Sequence, residues 1–237
     1  MPTRRDDRAG RAGEAGLAGR SDRKAVSSLS CPSRRSSPKL SRSFYKRPTL
    51  DVARDLIGKV LVHNRRGVIT SGVIVEVEAY IGESDAACHA APGRTRRNEP
   101  LYGPPGFSYV YLNYGIHNLV NVVTEPDGSP AAILIRALDP LDRLAVMRRR
   151  RARAIADHDL CRGPGNLTMA MGITLAENRL DLLGDCLYIE DRGIEAGAIE
   201  WGPRVGISVA TERPWRAFVA GHPAVSGGST SARRPIP

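Results

Sequence analysis

Glu76 and Glu78, in the run Val75-Glu76-Val77-Glu78-Ala79-Tyr80, are the carboxylates best spaced for acid–base work, and Asp85 and His89 follow closely. A carboxylate near the end of a strand, with an aromatic side chain two residues on, can present a proton acceptor beside a stacking surface. The ordinary alternative is a solvated strand face that happens to carry a tyrosine, and spacing alone does not displace it. His89 by itself reads as a surface or capping histidine. A site for a metal built from His89 and a glutamate lacks both an HExxH pattern and a third ligand nearby, so no metal is expected.

A second stretch, Gly103-Pro104-Pro105-Gly106-Phe107 followed by Tyr109-Val110-Tyr111-Leu112-Asn113-Tyr114-Gly115, concentrates aromatic residues. Aromatics make up 5% of the chain, yet three of its seven tyrosines fall within six positions. Tyr109 and Tyr111 share a parity on a strand, and Tyr114 stands beside Gly115, where a turn would expose it. With Arg94, Arg96 and Arg97 upstream, the pattern suits a stacking platform with phosphate clamps. Ordinary cross-strand packing of tyrosines accounts for it equally well.

The elements that must position these residues follow from periodicity. Thr49 is expected to cap a helix over about 50–57, which Gly58 stops. Residues 61–63, a turn at Arg66-Gly67, and 68–80 read as a hairpin with a long second strand, in which Val73, Val75 and Val77 alternate with Ile74, Glu76 and Glu78. Strands are expected at 109–112, 117–124 and 131–138, the last two joined by a turn at Pro126-Asp127-Gly128. A basic helix over 141–153, a short helix over 166–171, and strands at 187–190 and 204–209 complete the set. Hairpin links dominate over strand–helix alternation. The expected fold is therefore α+β, a single mixed, mainly antiparallel β-sheet domain with flanking helices.

The chain has 237 residues, enough for one sizeable core. Its net charge is +10, but eleven basic and four acidic residues lie in 1–43, leaving 24 basic and 21 acidic groups elsewhere. The charge is thus mostly a property of the N-terminal region and argues only weakly for nucleic acid. Residues 1–43, rich in Arg, Ser, Ala and Gly, read as a disordered basic tail or an over-extended start; 44–226 read as one compact folded domain, and 227–237 as a frayed end. Cys31, Cys88, Cys161 and Cys186 show no CxxC spacing, which fits reduced thiols. No apolar run approaches the roughly 18 residues of a membrane span, and Arg4-Arg5 has no apolar segment behind it to make an export signal.

Taken together, the blocks resemble one known family, the alkyladenine (3-methyladenine, or methylpurine) DNA glycosylases of base-excision repair. The first block is Leu56 to Val62, Ile74 to Gly82, and Asp85-Ala86-Ala87-Cys88-His89. The second comprises Gly93-Arg94-Thr95-Arg96-Arg97-Asn98, Gly103-Pro104-Pro105-Gly106, Tyr109-Val110-Tyr111 and Tyr114-Gly115. Asn121-Val122-Val123, Ala132 to Leu138, Leu160 to Gly165 and Arg204-Val205-Gly206-Ile207 continue in order. The resemblance spans about residues 44–226, and its specificity lies in the number and order of the blocks.

The resemblance implies that Glu78 positions and deprotonates the attacking water, that Arg136 helps hold that carboxylate and the water, and that the main-chain carbonyl of Val205 makes a third contact to it. It implies that Tyr80, His89 and Tyr111 line the pocket of a flipped base. Tyr114 would wedge into the duplex, and Asn121 would crowd the 2-amino group of normal guanine. Arg94, Arg96 and Arg97 remain candidates for the DNA backbone. Three departures, Cys88 for a small hydroxyl residue, Arg96 for a frequent proline and Phe107 for a frequent histidine, bear on lesion preference and remove no chemical group. The implied protein is a monomer acting without cofactor on double-stranded DNA that contains damaged purines, in the cytoplasm with the nucleoid and without a membrane partner. A non-catalytic nucleic-acid-binding module and a hydrolase of free nucleosides are the rival readings. Neither explains Glu78 together with Arg136 and Tyr114.

Overall fold

The computed structural model describes residues 38–226. Helix α1 (Arg42–Tyr45) and helix α2 (Thr49–Leu56) lead into the hairpin of β1 (Val60–Arg65) and β2 (Val68–Ile81). Strands β3 (Ser108–Asn113), β4 (His117–Val123) and β5 (Ala131–Asp142) follow, then helices α3 (Leu144–Arg150) and α4 (Pro164–Met171), and strands β6 (Leu187–Glu190), β7 (Ile199–Gly202) and β8 (Arg216–Val219). All eight strands join one sheet, in the order β3-β4-β5-β2-β1-β6, with β8 on β2 and β7 on β8. Every ladder is antiparallel. The expected α+β class, a mainly antiparallel sheet with flanking helices, is the observed one.

The long strands β2 and β5 form the spine, and β2 is buried on both faces without interruption from Thr70 through Ala79. The solvated face considered from the sequence is therefore absent from this strand: Glu76 and Glu78 are both fully buried. The main core gathers α2, α4, β1, β2 and β5 side chains such as Leu56, Ile74, Ile133, Leu138 and Leu167. A smaller cluster of Cys88, Ala90, Leu101, Tyr102, Tyr109, Val123 and Ala132 has Tyr80 and Tyr111 packed against it. Among the described residues no helix is long and apolar enough to cross a membrane.

Several sequence expectations need correction. Thr49 is the first residue of α2 and not its cap; its hydroxyl instead meets Thr124 and Glu125. The basic helix expected over 141–153 is shorter, because β5 runs on to Asp142, where it pairs with Ser71 on β2. Pairing across the sheet outweighs local helix propensity there. The helix expected at 166 starts earlier, with Pro164 in its first turn after Gly163, a position proline fills without losing a hydrogen bond. The helix packs closely on β4: a Cβ at Gly165 would lie 2.8 Å from the His117 ring. The strand expected at 204–209 is irregular backbone, while β7 and β8 arise where no strand was expected. Order also reaches into the expected tail. Leu40 is buried and its amide donates to Ile189, so the expected boundary at residue 43 falls too late. The remainder of that tail and residues 227–237 lie outside the described residues.

Candidate active site

The central feature is an irregularity between β2 and β5. Ile74 pairs with Leu138, Glu76 with Ala137 and Val77 with Ile135, so the ladder skips Val75 and Arg136. A bulge of this kind re-aims side chains. Here Arg136 reaches both acids: its Nε donates to Glu76 Oε1 at 3.0 Å, and its Nη1 lies 3.1 Å from Glu78 Oε1. Arg216, from β8, donates to the same Glu76 oxygen at 3.0 Å, and the Ser226 amide donates to Glu76 Oε2 at 2.7 Å. Two buried carboxylates thus face two buried guanidiniums, a balanced set that avoids the cost of an unpaired buried charge.

Glu78 has its own partners. The Tyr80 hydroxyl donates to Oε2 at 2.8 Å, and the Val205 amide donates to Oε1 at 2.6 Å. The Val205 carbonyl accepts from Arg136 Nη1 at 3.4 Å. Burial, reinforced by Glu78, pushes the Tyr80 phenol above its ordinary pKa, so it remains a donor. Burial alone would weaken the proton affinity of Arg136, but Glu78 and Glu76 outweigh it and hold the guanidinium charged.

Directly in front of this cluster lies a cavity of about 410 Å³ lined by Tyr80, His89, Tyr109, Tyr111, Asn121, Arg136 and Val205, with Tyr114 at its border. That volume falls within the range of small-molecule sites. Glu78 itself is not on the lining. It sits immediately behind the wall, held by three residues that are. The aromatic groups pack against one another: the His89 and Tyr111 rings meet edge to face with centroids 4.5 Å apart, and those of Tyr109 and Tyr111 are tilted by 31° with centroids 5.3 Å apart. The neutral His89 ring is 2.9 Å through Nδ1 from the Tyr109 hydroxyl. Burial, and then the nearby charge of Arg97, hold His89 below the usual histidine range; burial pushes Tyr109 up to about 12. Asn121 is fixed by donating to the Tyr109 carbonyl at 2.9 Å.

Tyr114 occupies the turn between β3 and β4 with φ of 49° and is 87% exposed, next to the 73% exposed Ile116. A large side chain kept out in solvent on a left-handed turn residue is unusual for packing. Of the three arginines singled out from the sequence, Arg94 is drawn toward Glu99, at 3.7 Å, and the Tyr102 ring. Arg96 and Arg97 border a neighbouring groove on the other side of Tyr109 and Tyr111.

Four contributors carry no assigned role in the sequence reading: Arg204, Asp85, Arg216 and Tyr109. Arg204 and Asp85, both fully buried, form a two-pronged pair at 2.6 and 2.8 Å, and the Arg204 guanidinium covers one face of Tyr80 at 4.7 Å. Although burial raises the proton affinity of Asp85, the Arg204 contacts outweigh it and hold the carboxyl below its usual range. This pair anchors the backbone just before Val205. Arg216 pairs with Glu76, and Tyr109 orients both His89 and Asn121. The Asp85 and Arg204 blocks were visible in the sequence, but 119 positions separate them and nothing local joins them.

A family model described as methylpurine-DNA glycosylase matches residues 43–223. Relatives carrying the provisional name 3-methyladenine DNA glycosylase include one from Methanocella arvoryzae, 48% identical over 193 residues, covering 80% of this chain and 96% of that protein. One from Rhodopseudomonas palustris is 49% identical over 189 residues, covering 80% and 91%. One from Clostridium acetobutylicum is 45% identical over 199 residues, covering 79% and 97%.

Proposed function

Since the chain belongs to the methylpurine-DNA glycosylase family, we propose that it is a DNA-3-methyladenine glycosylase that hydrolyses the bond between an alkylated purine and its sugar in double-stranded DNA. The observation that carries this reading is the buried Glu78, held by Tyr80, Arg136 and Val205 at the wall of a tyrosine-lined cavity. A binding module has no use for a buried carboxylate behind that wall, where its charge would only oppose phosphate-rich DNA.

The target nucleotide swings out of the duplex into the cavity, at a cost of a few kcal/mol that damage to the base pair lowers. Tyr114, already projecting from its turn, enters the vacated stack and offsets part of that cost. Alkylation at a ring nitrogen makes the purine cationic, and each tyrosine face then contributes roughly 0.5–2 kcal/mol of attraction. A neutral His89 adds no repulsion to that cation, and Asp85 neutralises Arg204 behind Tyr80. Asn121, oriented by Tyr109, stands where an extra exocyclic amino group would crowd.

Loss of the base builds positive charge on the sugar. Glu78 faces that charge and takes a proton from water, which Arg136 and the Val205 carbonyl orient. The cationic purine leaves without a dedicated acid. Water supplies the nucleophile, so the products are an abasic site and the free base. No lysine occurs after Lys59, and Lys59 is engaged with Asp191, so an amine-linked intermediate is not expected. DNA as substrate places this work at the nucleoid.

The test is release of free base from methylated duplex DNA by the full chain, compared with free methylated nucleosides. Release from duplex alone supports the reading; release of no base, or cleavage of nucleosides alone, overturns it. Borohydride treatment during turnover should trap no covalent protein–DNA adduct, and a trapped adduct would replace water with an amine as nucleophile.

A further inference from the structure

On the side of β2 away from the cavity strands, three side chains from distant segments converge: His63 on β1, Glu177 in the turn after α4, and Cys186 just before β6. We propose that these three form a binding site for a borderline-soft divalent cation of the zinc type, with the fourth position left to water.

The strongest argument is the state of His63. Its ring is fully buried, and Nδ1 lies 3.0 Å from the Met171 carbonyl, which fixes the proton on Nδ1. The lone pair of Nε2 is then aimed away, and that buried nitrogen has no hydrogen-bond partner. A ring nitrogen bound to a backbone carbonyl, with the other left bare, is the arrangement in which histidine ligates metals.

Glu177 presents the complementary half. Its Oε2 is consumed by the Thr174 amide at 2.6 Å and the Thr174 hydroxyl at 2.9 Å. Its Oε1 remains and stands 3.5 Å from His63 Nε2. That separation is long for a hydrogen bond. It matches the edge of a tetrahedral site, about 3.3–3.8 Å for the usual zinc bond lengths. The Cys186 sulfur lies within 4.8 Å of both ligand atoms and belongs to a free, exposed cysteine. Its backbone carbonyl accepts from the Asn64 amide at 2.7 Å, which holds the residue beside His63.

Nitrogen, carboxylate and thiolate are the donors that zinc takes together. On binding, the Cys186 thiol gives its proton to solvent, and His63 offers the lone pair of Nε2. The ligands are 114 and 9 positions apart along the chain, so a spacing search could not reveal them. The bound cation would tie β1 and the entry to β6 to the turn at 174–177. That turn also holds β3, because Ser108 donates to the Glu177 carbonyl and the Val110 amide donates to Asn178 at 2.9 Å. The effect would be structural support for the strand that carries Tyr109 and Tyr111.

The experiment uses the full chain, stripped with a chelator and titrated with cobalt(II), then zinc. One equivalent of cobalt should raise a thiolate-to-cobalt charge-transfer band that zinc abolishes. The band should persist in Cys31→Ser and vanish in Cys186→Ser, which alters an exposed residue and keeps the fold. Zinc should raise the melting temperature of the wild type but not of Cys186→Ser, with affinity falling about tenfold or more. Cys186→His should keep the zinc stabilisation without the thiolate band. No cobalt band would show that His63 and Glu177 merely face each other, and a band surviving Cys186→Ser would place the metal elsewhere. Either overturns the proposal.

Discussion

Replacing Glu78 by glutamine changes one charge and almost no volume, which makes it the sharpest probe of the proposed chemistry. In the wild type, Glu76 and Glu78 balance Arg136 and Arg216. Glu78→Gln leaves that buried set with a net positive charge. A sugar cation developing about 4 Å from the carboxylate would forfeit roughly 4 kcal/mol of attraction at an effective dielectric near 20. That alone is about a thousandfold in rate. Loss of the proton acceptor removes a further factor that overlaps with the first, typically about 10²–10⁴ by itself. The single-turnover rate on a duplex with one lesion should therefore fall by about 10³–10⁵. Affinity for lesion DNA should hold within about tenfold, because Tyr80, Tyr111 and Tyr114 remain. The assay is base release under enzyme excess, read by alkaline cleavage of the abasic product, beside a binding titration. Glu76→Gln is the companion, since Glu76 touches Arg136, Arg216 and Ser226 but not Val205 or Tyr80. It should lower the melting temperature and slow excision far less. A Glu78→Gln rate within tenfold of wild type would refute the reasoning and move the base elsewhere.

Tyr114→Ala should weaken lesion-DNA binding by about 1–3 kcal/mol, roughly 5- to 150-fold, with an unchanged melting temperature; equal affinity in a titration would show that the exposed ring has no partner in DNA. His89 is held below its ordinary pKa, so it is neutral at pH 7 and charges only on acidification below about 6.5. Excision of a cationic lesion should therefore fall along an acid limb that flattens in His89→Gln and is weaker for an uncharged lesion such as hypoxanthine. Asp85→Asn leaves Arg204 buried and unbalanced and should cost about 3–5 kcal/mol in denaturant unfolding. Because the Asp85 pKa is lowered in the fold, its contribution is complete above about pH 4 and is lost only as the pH falls further.

What the sequence disclosed depended on how local the physics was. Val75 to Tyr80 and Tyr109 to Tyr114 declare themselves because a strand repeats every two residues and a tyrosine cluster is rare in a chain poor in aromatics. The hairpin at Arg66-Gly67 and the sheet class follow from the same rule. Where tertiary pairing decides, local reading failed. Leu141 and Asp142 have helical neighbours but continue β5 because β2 offers a partner. Strand β8 escaped notice because its four residues include the inward-facing Arg216, whose polarity breaks the alternation that marks a strand. Residues 204–209 have the opposite character, apolar and β-prone, yet Arg204 is pinned to Asp85 and the backbone beyond it turns. The cavity residues were legible one by one; the bulge that brings Arg136 to both acids was not.

On the proposed mechanism, that bulge also decides which contact of Glu78 would give way to water. Tyr80 and Arg136 sit on β2 and β5, whose backbones are held in the ladder, and Arg136 is further fixed by Glu76 and Ser226. The Val205 amide comes instead from irregular backbone, is followed by Gly206 with φ of 79°, and belongs to a partly exposed residue. A glycine beside it lets that peptide turn at low cost. Water entering between Arg136, Glu78 and the Val205 carbonyl would therefore displace the Val205 N–H first, leaving the carboxylate its tyrosine and arginine. Replacing Gly206 by alanine penalises its positive φ and tests this order. It should lower the excision rate more than lesion affinity, measured side by side, whereas a matched fall in both would assign the loop to DNA binding and leave the water to enter past Tyr80.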